Sequence, residues 1–247
     1  MEARISTSRP RYSRCEANPV KEDMEDMAPD IIWDGITRAE ILHPEALQIR
    51  TALADAAKTY HWAEVLELLA KYHDLVNTTR PGGSSLYAPL HHAAHGGAPV
   101  EVVKELIGLG AFRTLLNARG ERPIDVAERY GHRHLLQVLT PEYHHQVPTD
   151  VLQAIQSHFH EVIRGRDGEA IAHMGLRLPE REPLLELERP HMWFPVPGMY
   201  GGFSYWLESA GAHVMLVSKS WSRVVDGSGQ RHEITSAGSR LVEEGFV

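Results

Sequence analysis

Histidine is the residue type with the most obvious chemical potential in this chain, which has 16 of them among 247 residues. His91, His92 and His95 fall on one predicted helix, where His92 and His95 are three positions apart and share a face. A zinc site there would need a third ligand from another segment, and a catalytic site would also need an open coordination position. The other histidine pairs have less suitable spacing. We therefore predict structural or surface histidines and no bound metal.

Other catalytic arrangements are equally sparse. The single cysteine, Cys15, lies in a polar N-terminal stretch with no neighbouring base to activate a thiolate. The sequence contains no Gly-x-Ser-x-Gly nucleophile turn. The glycines between Gly198 and Gly202 are followed neither by lysine nor by a long predicted helix, so they indicate a tight turn rather than a phosphate-binding loop. The sequence thus predicts no catalytic residue and no cofactor.

Aromatic residues concentrate in the C-terminal part of the chain and allow two interpretations. They are either the core of a small β domain, which needs large side chains, or an aromatic pocket for a ligand. Strand alternation around His232 places Arg231 and Glu233 on one face and His232 with Ile234 on the other. His232 is then partly buried if Ile234 points inward. The alternative ligand pocket consists of Trp193, Tyr200, Trp206, Trp221, Arg231 and His232.

Three segments between residues 50 and 140 align with one another at spacings of 34 residues (Pro89 to Pro123) and 37 residues (Ala56 to Ala93). A proline opens the first helix of the second and third segments, where its fixed φ suits the first helical position. Paired alanines such as Ala93-Ala94 allow two helices to approach closely. Gly97 and Gly131 are expected to end the first helices with positive φ, and Tyr60 stands at this place in the first segment. Ala98, in the following loop, is expected to tolerate a larger side chain.

This pattern resembles the ankyrin-repeat family: Pro-Leu-His, paired small residues, a glycine and then an apolar second helix. The resemblance covers residues 50–140, and the whole layout resembles bacterial ankyrin-repeat proteins. It implies a helical solenoid of about three repeats that binds another protein through hairpin tips and first helices. The residues that it places on this surface are Arg80, Tyr87, His92, His95, Arg119, Arg122 and Arg129. Four arginines among these seven residues favour an acidic or aromatic partner surface.

Composition and charge exclude several classes of function. Apolar residues make up 43% of the chain, which is typical of a globular protein, and the net charge is −8. Residues 50–140 carry ten basic and nine acidic residues, so they lack the basic stripe that nucleic acid requires. The chain has no apolar run of eighteen residues that could span a membrane. Low cysteine usage favours the cytoplasm.

The expected fold class is α+β. A disordered tail (1–29) precedes an ankyrin-repeat domain with an N-terminal capping helix (30–147), and a linking helix with a Trp-rich antiparallel β domain follows (148–247). The linking helix is predicted over 149–164, capped by Thr149 or Asp150, with a break at 166–168 and one more helical turn at 169–173. Strands are predicted at 184–188, 192–196, 203–208, 214–225 and 230–235, and a short helix at 236–246. The predicted function is a cytoplasmic adaptor; the alternative is an enzyme or small-ligand-binding protein whose β domain acts on a target recruited by the repeats.

Overall fold

The computed structural model describes residues 31–210, 213–222 and 228–245. In these residues the chain forms seven α-helices and one five-stranded antiparallel β-sheet. This combination confirms the predicted α+β class. The predicted tail, residues 1–29, lies outside the described residues.

The first six helices form three consecutive pairs. Their bounds are α1 (Pro44–Lys58) with α2 (Trp62–Lys71), α3 (Pro89–Gly96) with α4 (Val100–Gly108), and α5 (Pro123–Arg129) with α6 (Leu136–Leu139). The prolines at 44, 89 and 123 occupy the first helical position, as predicted, because proline lacks only an N–H that would be unpaired there. Helix α3 packs between α1 and α5, and α4 packs against α6. The first helices therefore lie side by side in chain order.

The same turn joins the two helices of each pair. One residue adopts a left-handed conformation: Tyr60 (φ 61°), Gly97 (φ 62°) or Gly131 (φ 75°). The next residue then donates its N–H to the carbonyl of the alanine five positions before it, at 2.9–3.0 Å (His61 to Ala56, Ala98 to Ala93, His132 to Ala127). The predicted roles of Gly97 and Gly131 are confirmed. Tyr60 takes the same conformation despite its side chain.

Small and aliphatic side chains form the core of these helix pairs. Ala93 and Ala94 are fully buried where α3 packs against its neighbours, as the small-residue pattern predicts. Ala98 is also buried, with 3% of its surface exposed, so the expectation that this site tolerates a larger side chain is wrong. The reason is the hydrogen bond from its N–H to Ala93, which folds the turn back against α3.

Helix α7 (Thr149–Met174) connects the helix pairs to the sheet. It continues past the predicted end at 164 and includes the further turn predicted at 169–173, and Asp167 has non-helical dihedral angles (φ −157°, ψ 49°) at the predicted break. The predicted side-chain cap is wrong. Thr149 and Asp150 are already helical, and Pro148 is the cap residue, with no side-chain hydrogen bond to the first turn.

The sheet is a meander in which each strand pairs with the next along the chain. The strands are β1 (His191–Val196), β2 (Gly201–Ala210), β3 (His213–Ser222), β4 (Ser228–Thr235) and β5 (Gly238–Gly245). Helix α7 packs against β3, β4 and β5. Phe159 of α7 contacts Phe203 and Tyr205, and all three side chains are buried. The aromatic residues of this face are therefore core.

Two predicted elements near the sheet are wrong. The predicted strand at 184–188 is a 3₁₀ turn, Pro183–Glu186, because Pro183 fixes the first φ and Leu184 and Leu185 pack into the core as one turn. The predicted helix at 236–246 is strand β5. A tight turn at Gly238 (φ 146°) reverses the chain after β4, and pairing with β4 then overrides the local preference for helix.

Residues 31–36 belong with the sheet core rather than with the first helix pair. The N–H of Trp33 donates to the carbonyl of Trp193 at 2.7 Å, and the N–H of Trp193 donates to Ile31 at 2.9 Å, which extends the sheet beyond β1. The indole of Trp33 is buried and donates to the carbonyl of Arg177.

Half-buried carboxylates join the helix pairs to the segment between α7 and β1. Glu186 accepts hydrogen bonds from the backbone N–H groups of Arg113 and Thr114, at 3.1 and 2.8 Å. Glu180 accepts one from the N–H of Leu116 at 3.0 Å. Burial raises the pKa of both carboxyl groups. The two carboxylates pair with backbone N–H groups of the loop after α4, so we assign them a structural role.

Candidate protein-binding surface

One group of polar and aromatic side chains lies where the first helices of the three pairs and their turns meet. We call it the tyrosine–histidine surface, and it consists of Tyr60, Tyr87, His92, His95, Glu121, Arg129 and Tyr130. Each first helix or the turn after it contributes at least one aromatic ring, because the helices lie side by side and repeat the same turn.

His95 is at the centre of this surface. Its ring lies 4.2 Å from the ring of Tyr130 in an edge-on arrangement and 6.0 Å from that of Tyr87. The hydroxyl of Tyr60 lies 2.7 Å from His95 Nδ1. Edge-to-face contacts of this kind are favourable beyond the area that they bury. The three tyrosines therefore hold the imidazole in a defined orientation.

Two glycines make room for these rings at the end of α3. A Cβ atom on Gly96 would approach the ring of Tyr60 to 2.5 Å, and one on Gly97 would approach the ring of His132 to 2.5 Å. Gly97 is in addition required by its positive φ. Any larger residue at either position would displace a ring that forms or borders the surface.

Arg129 ties the third helix pair to the second. Its guanidinium donates to the Tyr87 hydroxyl at 3.2 Å, to the Tyr130 hydroxyl at 3.1 Å and to Glu121 at 2.9 Å. It also lies over the Tyr130 ring, 4.7 Å from its centroid. Hydrogen bonds from Asn117 and Arg129 lower the pKa of Glu121. This internal ion pair compensates the charge of Arg129.

His91, His92 and His95 are neutral at pH 7. Burial lowers the pKa of His91 to about 3 and that of His92 to about 4. Burial and the nearby Arg129 lower the pKa of His95. His91 is fully buried and lies between two segments, 3.4 Å from the N–H of Ala88 and 3.3 Å from the carbonyl of Glu121. The surface thus presents neutral aromatic and hydrogen-bonding groups.

The structure brings four of the seven predicted surface residues together: Tyr87, His92, His95 and Arg129. The other three lie apart. Arg80 pairs with Asp55 and Arg122 pairs with Glu182, while Arg119 is exposed on the loop before α5. An acidic partner was expected because of four arginines, yet three of the four are already paired with carboxylates of the same chain.

Three residues of the surface were not predicted, namely Tyr60, Glu121 and Tyr130. Tyr60 and Tyr130 are 40% and 46% exposed and flank His95 on opposite sides. The sequence held a signal for Tyr60, because it stands where the second and third segments have Gly97 and Gly131. A large aromatic residue at a position that favours glycine is a departure that calls for a functional explanation.

The sheet separates the residues of the alternative ligand pocket. Trp193 and Trp221 stack across Gly202 with ring centroids 4.4 Å apart, on the face away from α7. Trp206 and Arg231 share that face by strand alternation, whereas His232 points to the α7 side together with the buried Ile234. Tyr200 is 76% exposed in the turn before β2. The predicted division of Arg231 and His232 between faces agrees with the register.

The described part of the chain contains neither a cluster of metal-ligand side chains nor a membrane-spanning helix. Residues 31–210, 213–222 and 228–245 contain no group of three or more histidine, cysteine, aspartate or glutamate side chains placed to hold a metal ion. None of the helices within these ranges combines the length and apolar character needed to cross a bilayer.

Comparisons with known proteins supply no family. No protein-family model matches the chain, and no curated protein matches it. The geometry of the surface is therefore the basis for a functional proposal.

Proposed function

We propose that this protein is an adaptor that binds another protein through the tyrosine–histidine surface, and that its three helix pairs are an ankyrin-type array. The observation that carries the proposal is the exposure of Tyr60 and Tyr130 on either side of His95. Exposed tyrosines on a rigid support are typical anchors of protein interfaces. We place the adaptor in the cytoplasm as part of the same proposal.

Rigidity supports this assignment. Arg129 and the three tyrosines form one network of hydrogen bonds and ring contacts, so little side-chain freedom remains to be lost on binding. The same network indicates which kind of partner fits the surface. Because Arg129 is paired with Glu121 and the histidines are neutral, the surface best fits an apolar or aromatic segment with backbone groups that bond to the tyrosine hydroxyls.

The test is a pair of matched variants. Tyr60→Gly removes an anchoring ring while giving a left-handed turn (φ 61°) the residue that it favours, and Tyr130→Ala removes the second ring. Tyr200→Gly is the control, since Tyr200 also has a left-handed conformation (φ 49°) but lies near the sheet. Proteins captured from the native cell by the tagged full chain are quantified by mass spectrometry.

The expected result is one set of partners that binds wild type and Tyr200→Gly equally and is at least tenfold depleted with Tyr60→Gly/Tyr130→Ala. Circular dichroism must show the same helix content for all proteins. Equal capture by the double variant would contradict the proposal. Selective loss with Tyr200→Gly would instead transfer the binding function to the sheet.

A further inference from the structure

The face of the sheet that packs on α7 changes from apolar to polar between β2 and β4. Phe203 and Tyr205 of β2 pair with Ser220 and Ser218 of β3, so these serines point toward α7 as the aromatic residues do. Ser218 pairs in turn with His232 of β4. A polar strip therefore lies beneath the helix, next to an aromatic core.

Several polar atoms in this strip are buried without a hydrogen-bond partner among the described residues. They are Ser218 Oγ, Ser220 Oγ, His232 Nδ1 and Arg166 Nε. Ser218 and Ser220 are only 1% and 3% exposed. Buried polar groups in folded proteins are almost always paired, and leaving one unpaired costs about 1–3 kcal/mol. Because four such atoms lie in one region, we expect a bound ligand or water molecules to form their missing hydrogen bonds.

Arg166 adds positive charge to the strip. It lies beside the break in α7 at Asp167, and its guanidinium donates to the carbonyl and hydroxyl of Ser228 at 2.6 and 2.5 Å. Both acceptors are neutral, and no carboxylate within the described ranges forms an ion pair with Arg166. Ser228 lies on the same strand face as His232.

We propose that Arg166, Ser218, Ser220 and His232 bind the anionic oxygen group of a small molecule, a carboxylate or a phosphate. The guanidinium supplies a positive charge, and the two hydroxyls and the imidazole supply further hydrogen-bond donors. Carboxylate- and phosphate-binding sites commonly combine such groups. This site is independent of the tyrosine–histidine surface, because it lies between α7 and the sheet.

A carboxylate also lies on this face of the sheet. Glu244 of β5 accepts a hydrogen bond from Gln230 at 2.8 Å, so that carboxylate is already engaged. Burial and the charge of Arg166 lower the pKa of His232, and Glu244 acts in the opposite direction. Arg231 lies on the other face and pairs with Glu243 at 3.4 Å, so it does not contribute here.

The experiment measures the melting temperature of the full chain with sodium phosphate and, separately, with sodium acetate, at constant ionic strength. For a specific site, the anion that binds is expected to raise the melting temperature by about 3–6 °C at roughly ten times its Kd. Arg166→Gln is expected to abolish this rise. Arg164→Gln is the matched control, because Arg164 is exposed on the same helix.

A rise in melting temperature with phosphate or with acetate supports the site. The anion that causes the rise shows whether the bound oxygen group is a phosphate or a carboxylate. Should Arg166→Gln fail to fold, Ser218→Ala/Ser220→Ala replaces it, since removing unpartnered hydroxyls does not break a hydrogen bond. That double variant is expected to weaken anion binding at least tenfold. The proposal is wrong if neither anion raises the melting temperature, which indicates water alone, or if the folded variants respond as wild type does, which indicates a general salt effect.

Discussion

The helix pairs and the sheet form their cores from different kinds of side chain. Around α3 the core consists of alanine, valine and leucine, and the helices approach closely because Ala93 and Ala94 are small. Between α7 and the sheet the core contains fully buried aromatic rings, among them Phe203 and Tyr205. The first core consists of small and aliphatic side chains packed between close helices, whereas the second depends on a few large groups. Enlargement should therefore damage the helix pairs, and truncation should damage the sheet.

Acid is expected to have the largest effect, and it acts on the helix pairs through His91 and His92. Burial lowers their pKa values from 6.5 to about 3 and about 4 in the folded protein. The unfolded chain therefore binds protons first, so this stability is complete above pH 6.5 and is lost as the pH falls toward 4 and 3. The loss is about 1.4 kcal/mol per pH unit for each histidine.

Urea unfolding between pH 7 and pH 4.5 measures this loss. His91→Asn/His92→Gln should flatten the dependence of unfolding free energy on pH, and the exposed His144→Gln should not. An unchanged slope in the double variant would place the acid sensitivity outside α3.

Truncation of Phe203 comes next. Phe203→Ala removes a fully buried ring that contacts Phe159 and Phe194, and it should lower the free energy of unfolding by about 3–5 kcal/mol. Trp206→Ala, on the face of the sheet away from α7, should cost clearly less, since that ring is half-buried. Similar losses from denaturant unfolding would show that the sheet has no dominant packing face.

Enlargement of α3 has a smaller cost. Ala93→Leu places three additional carbon atoms where the first helices meet, and overpacking costs about 1–3 kcal/mol. The matched control is Ala63→Leu, because Ala63 is exposed on α2, and it should be nearly silent. If the two variants have equal urea midpoints, close packing of the first helices does not restrict the size of the side chain at position 93.

The smallest effect is expected at the left-handed tyrosines. Tyr60→Gly and Tyr200→Gly both relieve an unfavourable backbone conformation, and each should stabilise the fold by up to about 1 kcal/mol. The gain should be smaller at Tyr60, whose ring packs over Gly96, than at Tyr200, which is 76% exposed. A larger gain at Tyr60 in thermal unfolding would mean that its ring contacts contribute little.

Local rules account for the elements that the sequence predicts correctly. Pro89, Gly97 and Gly131 act through their own φ angles, and strand alternation placed Arg231 and His232 on different faces. Long-range pairing decides the elements that were missed. Strand β5 forms because its backbone pairs with the edge of β4. The 3₁₀ turn at Pro183–Glu186 forms because its side chains pack into the core.

The same distinction applies to the surface residues. Arg122 was predicted to face a partner, but its charge is taken by Glu182, sixty residues further along the chain. Such a pairing leaves no trace in the local pattern. Tyr60 carries information that local rules do hold, since it is a large residue in a left-handed turn that favours glycine. This one departure was thus a better indicator of the surface than the arginine charges were.

The backbone pairing of residues 31–33 with β1 has a consequence for how the protein unfolds. The helix pairs begin after this pairing and end at α7, so both of their ends are attached to the sheet core. The loop after α4 is attached as well, through Glu180 and Glu186. An open array of repeats can lose one terminal unit at a time. Here no unit is terminal, so the helices cannot peel away singly and the chain should melt in one cooperative transition.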